Sequence, residues 1–372
     1  MVKRRVALIA LHFSEYSINL ARALAAEWEV LLVLYRDNAE GELGVTWRDS
    51  VGESSVKIIV LDRPTGAASV FKNARTLVGE VRQFSPDILH CQEDLRDELV
   101  LSLFFLRRFP IVLTVHDPTT HSGADSIRFR FSRFRLYRHW VRSRANGAIA
   151  HGRLLASELG RVSPNLEGHV ASLPHGPLGA CSEEELHSFP DEARLLFFGR
   201  IHEYKGLRYF IEAIIQLRSK GYAVTGVVAG RGGDLARHRA RMEGAGGFEI
   251  LDWRIPAEDV PRLFINATAV IVPYIDGTQS GVAAMALGFG RPVVATAVGS
   301  IPELVRDGVN GLLVRPADAP ALASAIETII SNADTREKLA LGARQLREGE
   351  LSWASIAQQT IDVYESLLGP QI

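Results

Sequence analysis

Short runs of β-branched and aliphatic residues alternate with longer stretches of helical period along this 372-residue chain, and the alternation breaks once and restarts. Alternation of this kind builds βα units, whose strands lie parallel with helices on both faces. Strands are expected at 6–10, 29–35, 56–61, 87–90, 111–115, 148–150 and 170–173, and then at 194–198, 224–229, 248–251, 270–272, 292–295 and 312–314. The break carries Pro177, Glu183, Glu184, Glu185 and Pro190, an acidic, proline-marked stretch that reads as a linker over 177–192. A first domain over 1–176 and a second over 193–352 follow. The last segment, 353–368, has helical spacing through Ile356, Ile361, Tyr364 and Leu367. Open parallel sheets bind ligands beyond the carboxyl ends of their strands, so His90, His116 with Asp117, His151 and His175 are expected to face one crevice.

Bulk properties narrow the class. A chain of 372 residues is too long for one ordinary core and suits two domains. Apolar residues at 47% and charged residues at 23% exclude a disordered or fibrous chain. The formal net charge of -1 gives no overall pull toward nucleic acid or a membrane, so such a pull requires a local patch. Cys91 and Cys181 stand far apart without metal-ligand spacing, which points away from disulfides and zinc and toward a reducing, cytoplasmic compartment. The amino terminus reads as a first strand rather than a signal peptide, because His12, Ser14 and Glu15 cut its apolar run. No run approaches the roughly 20 apolar residues that span a bilayer.

Two motifs carry chemistry. Phe198-Gly199-Arg200 ends a strand and Lys205-Gly206 opens a helix, so a close backbone approach and two cations meet the positive end of a helix dipole. On these residues alone, a solvated basic turn is an equal reading. The second is Thr278-Gln279-Ser280-Gly281 before the helical run 282–290, where hydroxyl, amide and free N–H groups point one way. Taken alone, it is also an ordinary N-cap.

Together these motifs, with 288–296, Val298-Gly299, Pro302-Glu303 and Asn310-Gly311, resemble the retaining glycosyltransferases of family 4, also called glycosyl transferases group 1. In the first half, Pro86 to His90, Thr114 to Asp117 and Leu173 to Gly176 are similar to the family's corresponding segments. The resemblance implies an α/β chain of GT-B fold, with two Rossmann-like doubly wound parallel-sheet domains facing a central cleft. It also implies that helix 353–368 packs back on the first domain. Donor contacts fall on Gly199, Gly230, Ile255, Thr278, Gln279, Ser280 and Gly281, and the diphosphate is neutralised by Arg200 and Lys205. His116 falls near the transferred sugar, with Ser14 and Asp117 on the acceptor side.

The implied activity is metal-independent, retaining transfer of a sugar from a nucleotide-diphosphate sugar, with no cofactor, to a glycan, lipid-linked or small-molecule acceptor. The sequence holds no Asp-x-Asp pair, and no two carboxylates can be assigned to a covalent route, which favours front-face attack. There are two departures. Ile275 and Ala283 stand where many members carry a glutamate pair, and Leu11 to Glu15 replaces a Gly-Gly loop. The first keeps open a non-catalytic GT-B protein that regulates a partner enzyme, and, because fold alone does not fix chemistry, a nucleotide-sugar epimerase or a phosphorylase is a further alternative.

Residues 127–144 hold seven arginines interleaved with aromatic and aliphatic side chains. One reading is a peripheral contact with the inner face of an anionic membrane, and the other is an amphipathic helix packed on its sheet. Nucleic acid is not an expected partner, because the chain is near neutral and carries no nucleic-acid-binding motif.

Overall fold

The computed structural model describes residues 3–52, 54–94, 96–119, 133–179 and 181–369. By its internal contacts the chain divides into two compact units, Met1–Pro174 with Trp353–Ile372, and His175–Ser352.

The first unit is built on a seven-stranded parallel sheet. Its strands are β1 (Arg5–Ala10), β2 (Glu29–Tyr35), β3 (Lys57–Leu61), β4 (Ile88–Gln92), β5 (Ile111–Val115), β6 (Gly147–His151) and β7 (Val170–Leu173). They lie in the order β3-β2-β1-β4-β5-β6-β7. Val6 to Ala10 are wholly buried, as continuous apolar strands must be when helices cover both faces. On one face, helices Ala67–Phe84, Asp97–Phe105, Arg133–Arg144 and Arg153–Val162 deliver Leu77, Leu99, Val141 and Leu155 to a core with Ile9, Val33 and Leu113. Helix Ser14–Leu24 packs with the last helix, Trp353–Leu368.

That last helix explains a departure from expectation. His90 was expected at a ligand crevice, but it lies within β4 and is wholly buried. Its Nδ1 is 2.5 Å from the Tyr364 hydroxyl and its Nε2 is 2.7 Å from Thr114 Oγ1. Burial pushes its pKa down to about 3, so the imidazole is a neutral core link between the sheet and the last helix.

In the second unit, β8 (Ala193–Phe198), β9 (Val224–Ala229), β10 (Phe248–Leu251), β11 (Ala269–Val272), β12 (Val293–Thr296) and β13 (Gly311–Val314) form a parallel sheet in the order β10-β9-β8-β11-β12-β13. Apolar clusters are built on the two sets of alternate strand residues. Leu196, Val227 and Val270 join one, and Leu195, Val228 and Ile271 join the other.

The stretch expected to be a linker belongs to this unit. Ser182 caps the short helix Glu183–His187 through a reciprocal bond with Glu185. Arg291 donates to the carbonyls of Glu185 and Ser188, and Arg344 to that of Leu186. The arginines satisfy carbonyls that the helix end leaves open. Arg291 is wholly buried, and burial lowers its pKa to about 10.

Candidate functional site

Each sheet has one place where its strand order reverses, between β8 and β11 in the second unit and between β1 and β4 in the first. Crevices of doubly wound sheets form beyond the strand ends at such points.

In the second unit the turns after β8, β9, β11 and β12 are tied to one another by main-chain bonds. Gly199 N donates to Ala229 O at 2.9 Å and Ile201 N to Arg231 O at 2.8 Å. Ile275 N donates to Tyr204 O, and Ser300 N to Thr278 O, both at 2.8 Å. Contacts this close need glycines. Gly206 has φ 75°, and a Cβ there would lie 2.0 Å from Pro273 O. Gly230, expected to admit a nucleotide, also meets a packing demand: at φ 138°, its Cβ would lie 2.0 Å from Gly199 O.

The frame carries both cations that the sequence singled out, Lys205 and Arg200, and Arg231 follows Gly230 in it. Lys205 is 7% exposed, yet it forms no ion pair among the described residues. Its Nζ is 3.4 Å from Phe198 O and 5.3 Å from the Tyr274 ring centroid. A buried ammonium without a carboxylate is costly unless an anion completes it. Arg200 is exposed and also has no acidic partner among the described residues. A Cβ placed on Gly199 would lie 3.0 Å from Lys205 Nζ and 3.7 Å from Val282, in the first turn of helix Gly281–Gly288.

Ser280 is the N-cap of that helix. Its Oγ accepts from Ala283 N at 3.2 Å and lies 3.4 Å from the Tyr274 hydroxyl. The hydroxyl is therefore committed to the cap, and the N–H groups of Gly281 and Val282 are left as the first-turn donors. A Cβ on Gly281 would meet nothing within 4 Å, so open space lies above the helix start. Thr278 and Gln279 are half-buried in the preceding loop. Ala283 is wholly buried, which leaves no room for an exposed carboxylate at that position, whereas Ile275 is exposed. Ile255 is half-buried and lines a cavity of about 250 Å³ with Leu251, Trp253, Asp259 and Arg262.

The first unit assembles its site from side chains. His116 follows β5 and is 4% exposed, with Nε2 2.9 Å from Gln92 Oε1. Phe13 stacks on its ring at 3.8 Å between centroids, Tyr16 meets it edge-on at 5.6 Å, and His151 lies at 4.9 Å. Phe13 itself has φ 60°, a left-handed conformation that is strained for a bulky L-residue. Ser14, expected on the acceptor side, is wholly buried, and its hydroxyl donates to Asn38 Oδ1 at 2.7 Å. It holds the turn that presents Phe13.

Arg142 fixes the loop carrying His116 and Asp117. It is 4% exposed and makes a two-pronged pair with Glu93, at 2.6 and 2.9 Å. It also donates to Pro118 O at 3.0 Å and reaches Asp117 O at 3.5 Å. Nothing local distinguishes Arg142 from the other arginines of 127–144, so sequence reading missed it along with Gln92 and Glu93, whereas Phe13 lies in the 11–15 loop that the sequence marks as a departure. Of that stretch, 127–132 lie outside the described residues. In the remainder, Val141 and Arg142 are buried and Leu136 is 69% exposed.

Comparison with known proteins agrees with this architecture. Residues 14–176 match the family described as Glycosyltransferase Family 4, and residues 192–332 match Glycosyl transferases group 1. A D-inositol 3-phosphate glycosyltransferase of Nocardioides is 35% identical over 192 residues, covering 47% of this chain and 42% of that protein. An alpha-maltose-1-phosphate synthase of Mycobacterium tuberculosis is 30% identical over 252 residues, 60% of this chain and 64% of its own length. The chain thus spans less than two thirds of these curated relatives. Among solved structures, Anabaena HepE in complex with UDP and glucose superposes with a TM-score of 0.71 at 18% identity, covering 98% of this chain and 100% of that one. At that identity the likeness shows the GT-B fold alone. Among the described residues, no helix is long and apolar enough to cross a membrane.

Proposed function

Because the chain belongs to the family-4 glycosyltransferases, we propose that it transfers a sugar from a nucleotide-diphosphate donor to a glycan, lipid-linked or small-molecule acceptor with retention at the anomeric carbon. The carrying observation is that Arg200 and Lys205 have no acidic partner among the described residues, with Lys205 close to the open first turn at Gly281.

The chemistry follows from where charge develops. As the bond between the anomeric carbon and the phosphate oxygen breaks, its electron pair goes to the diphosphate and the ring becomes cationic. Lys205, Arg200 and the N–H groups of Gly281 and Val282 meet the first charge, each preset donor contributing on the order of 3 kcal/mol. His116 serves the sugar, and its orientation depends on Gln92 and the Arg142 clamp. The acceptor oxygen forms the new bond on the face the phosphate leaves, and its proton passes to the departing phosphate oxygen. In this reading the protein cations replace a metal at the leaving group, and the enzyme works without a cofactor.

The relatives motivate the donor class. HepE was solved with UDP and glucose, and the named relatives are sugar transferases and a maltose phosphate synthase. The test is a transfer and hydrolysis assay over the common nucleotide sugars, with the product anomer read by proton NMR. Turnover with a retained configuration, lost in Arg200→Ala, supports the reading. Nucleotide binding with no turnover on any donor, or an inverted product, contradicts it. Peripheral contact with a membrane belongs to the same reading.

A further inference from the structure

The end of helix Asp97–Phe105 carries a surface that the transfer chemistry does not use. Phe104 and Phe105 are 49% and 53% exposed, with their rings edge to face at 5.5 Å. Arg107 and Arg108 follow within three residues and are also exposed. The Arg107 guanidinium carbon lies 3.7 Å from the Phe104 ring centroid. Two further arginines close on the same turn: Arg82 donates to Phe105 O at 3.1 Å and Arg144 to Arg107 O at 3.2 Å. Arg82 and Arg144 thus cap carbonyls at the helix end, Arg107 and Arg108 lie over the Phe104 and Phe109 rings, and none of the four forms an ion pair with an acid among the described residues. No Asp or Glu occurs from Leu99 through His116. The tip lies just before β5, whereas His116 follows it, so the tip and His116 stand at opposite ends of that strand.

Exposed aromatic rings are a liability in water unless something covers them. An acidic protein face would satisfy the arginines alone. An anionic bilayer satisfies both sets of groups, because phenylalanines enter the acyl boundary while arginines stay with phosphate headgroups. The whole chain carries a net charge of only -1, so the attraction is local to this tip.

We propose that Phe104, Phe105, Arg107 and Arg108, flanked by Arg82 and Arg144, seat this protein on an anionic lipid surface. The proposal rests on the peripheral membrane contact of the proposed function, to which it gives a surface, and it does not depend on the transfer reaction. It holds the first unit by the end of the sheet away from His116, so the histidine works above the headgroups rather than within them.

The test is co-sedimentation of the full chain with large unilamellar vesicles of phosphatidylcholine alone and of phosphatidylcholine with phosphatidylglycerol. Binding is expected only with the anionic lipid, and it should weaken steeply as salt is raised. Arg107→Glu with Arg108→Glu should lower partitioning by roughly tenfold or more. Phe104→Ser with Phe105→Ser should lower it several-fold at unchanged net charge. Circular dichroism and the melting temperature of each variant guard against misfolding, and these solvent-exposed changes should leave both near wild type. Equal binding to neutral vesicles overturns the proposal, as does no binding at low salt, which would leave the tip to an acidic protein partner. Binding to anionic vesicles that neither variant weakens also overturns it, because another surface would then be responsible.

Discussion

At the switch point of the second unit, neighbouring turns are joined by main-chain hydrogen bonds such as Gly199 to Ala229 and Ser300 to Thr278, with glycines where the backbones touch. At the switch point of the first, the loops are held by side chains: Arg142 on Glu93 and Pro118, Gln92 on His116, Asn38 on Ser14, and Phe13 stacked on His116. A backbone-built frame suits a group common to every donor, the diphosphate, because main-chain donors cannot vary with sequence. A side-chain-built frame changes with each substitution, as a pocket for a particular acceptor requires. The two regions should therefore fail in different ways.

The largest effect is expected where a buried charge loses its partner. Arg142→Met takes from the buried Glu93 carboxylate its two-pronged partner, leaving only the field of Arg138, and should destabilise the first unit by about 3 kcal/mol. Adding Glu93→Leu to that variant should restore much of the loss. Urea unfolding followed by a probe in each unit would check both; an unchanged first unit in the single variant would break the contrast.

The backbone-built region should fail when a methyl group is added. Gly230→Ala pushes a Cβ onto Gly199 O at a φ that L-residues avoid, and should cost roughly 2–4 kcal/mol. The loss should appear in the second unit and take nucleotide binding with it. A variant that melts and binds like wild type would mean that these turns adjust freely.

These differences also explain what could be read from the sequence. The strands emerged within one or two residues of their positions, because buried parallel strands leave continuous apolar runs. The glycines, cations and helix start that meet at the second unit's switch point were legible because they fall in short contiguous motifs such as Phe198-Gly199-Arg200. In the first unit, residues 13, 92, 93, 116 and 142 meet only through the fold, so no local spacing reports them. His90 misled for a related reason. A polar residue near a strand end looks like a ligand, and only the returning last helix, with Tyr364, turns it into core. The packing of 177–192 was not legible either, because its acidic composition hides the carbonyl contacts to Arg291 and Arg344.

Acid should weaken both units through buried neutral histidines. The folded-state pKa of His90 is about 3 against an ordinary 6.5, so as pH falls through that window the unfolded chain takes up a proton that the folded chain does not. Stability present above pH 6.5 is therefore lost toward pH 3, with a slope of up to about 1.4 kcal/mol per pH unit from this one group. His175 acts in the same direction in the second unit, with its pKa lowered to about 4. Chemical denaturation at several pH values should show a shallower acid slope for the first unit in His90→Gln. An unchanged slope would mean that His90 already binds its proton in the folded chain.

The smallest effect is expected at Phe13. Phe13→Gly relieves a strain of about 1–2 kcal/mol and forfeits a ring stack of about 0.5–1.5 kcal/mol, so the melting temperature should barely move. The acceptor KM should rise while donor binding stays as it was. A large loss of stability would show that the turn is structural rather than tuned to an acceptor.

The central claim is that Lys205 and Arg200 complete themselves with a diphosphate. Isothermal titration of nucleoside diphosphates against the wild type, Lys205→Met and Arg200→Ala tests it most directly. The account predicts micromolar-range binding of at least one diphosphate, weakened by roughly tenfold or more in each variant, with the nucleoside alone affected little. Equal affinity for the diphosphate in all three proteins would contradict it.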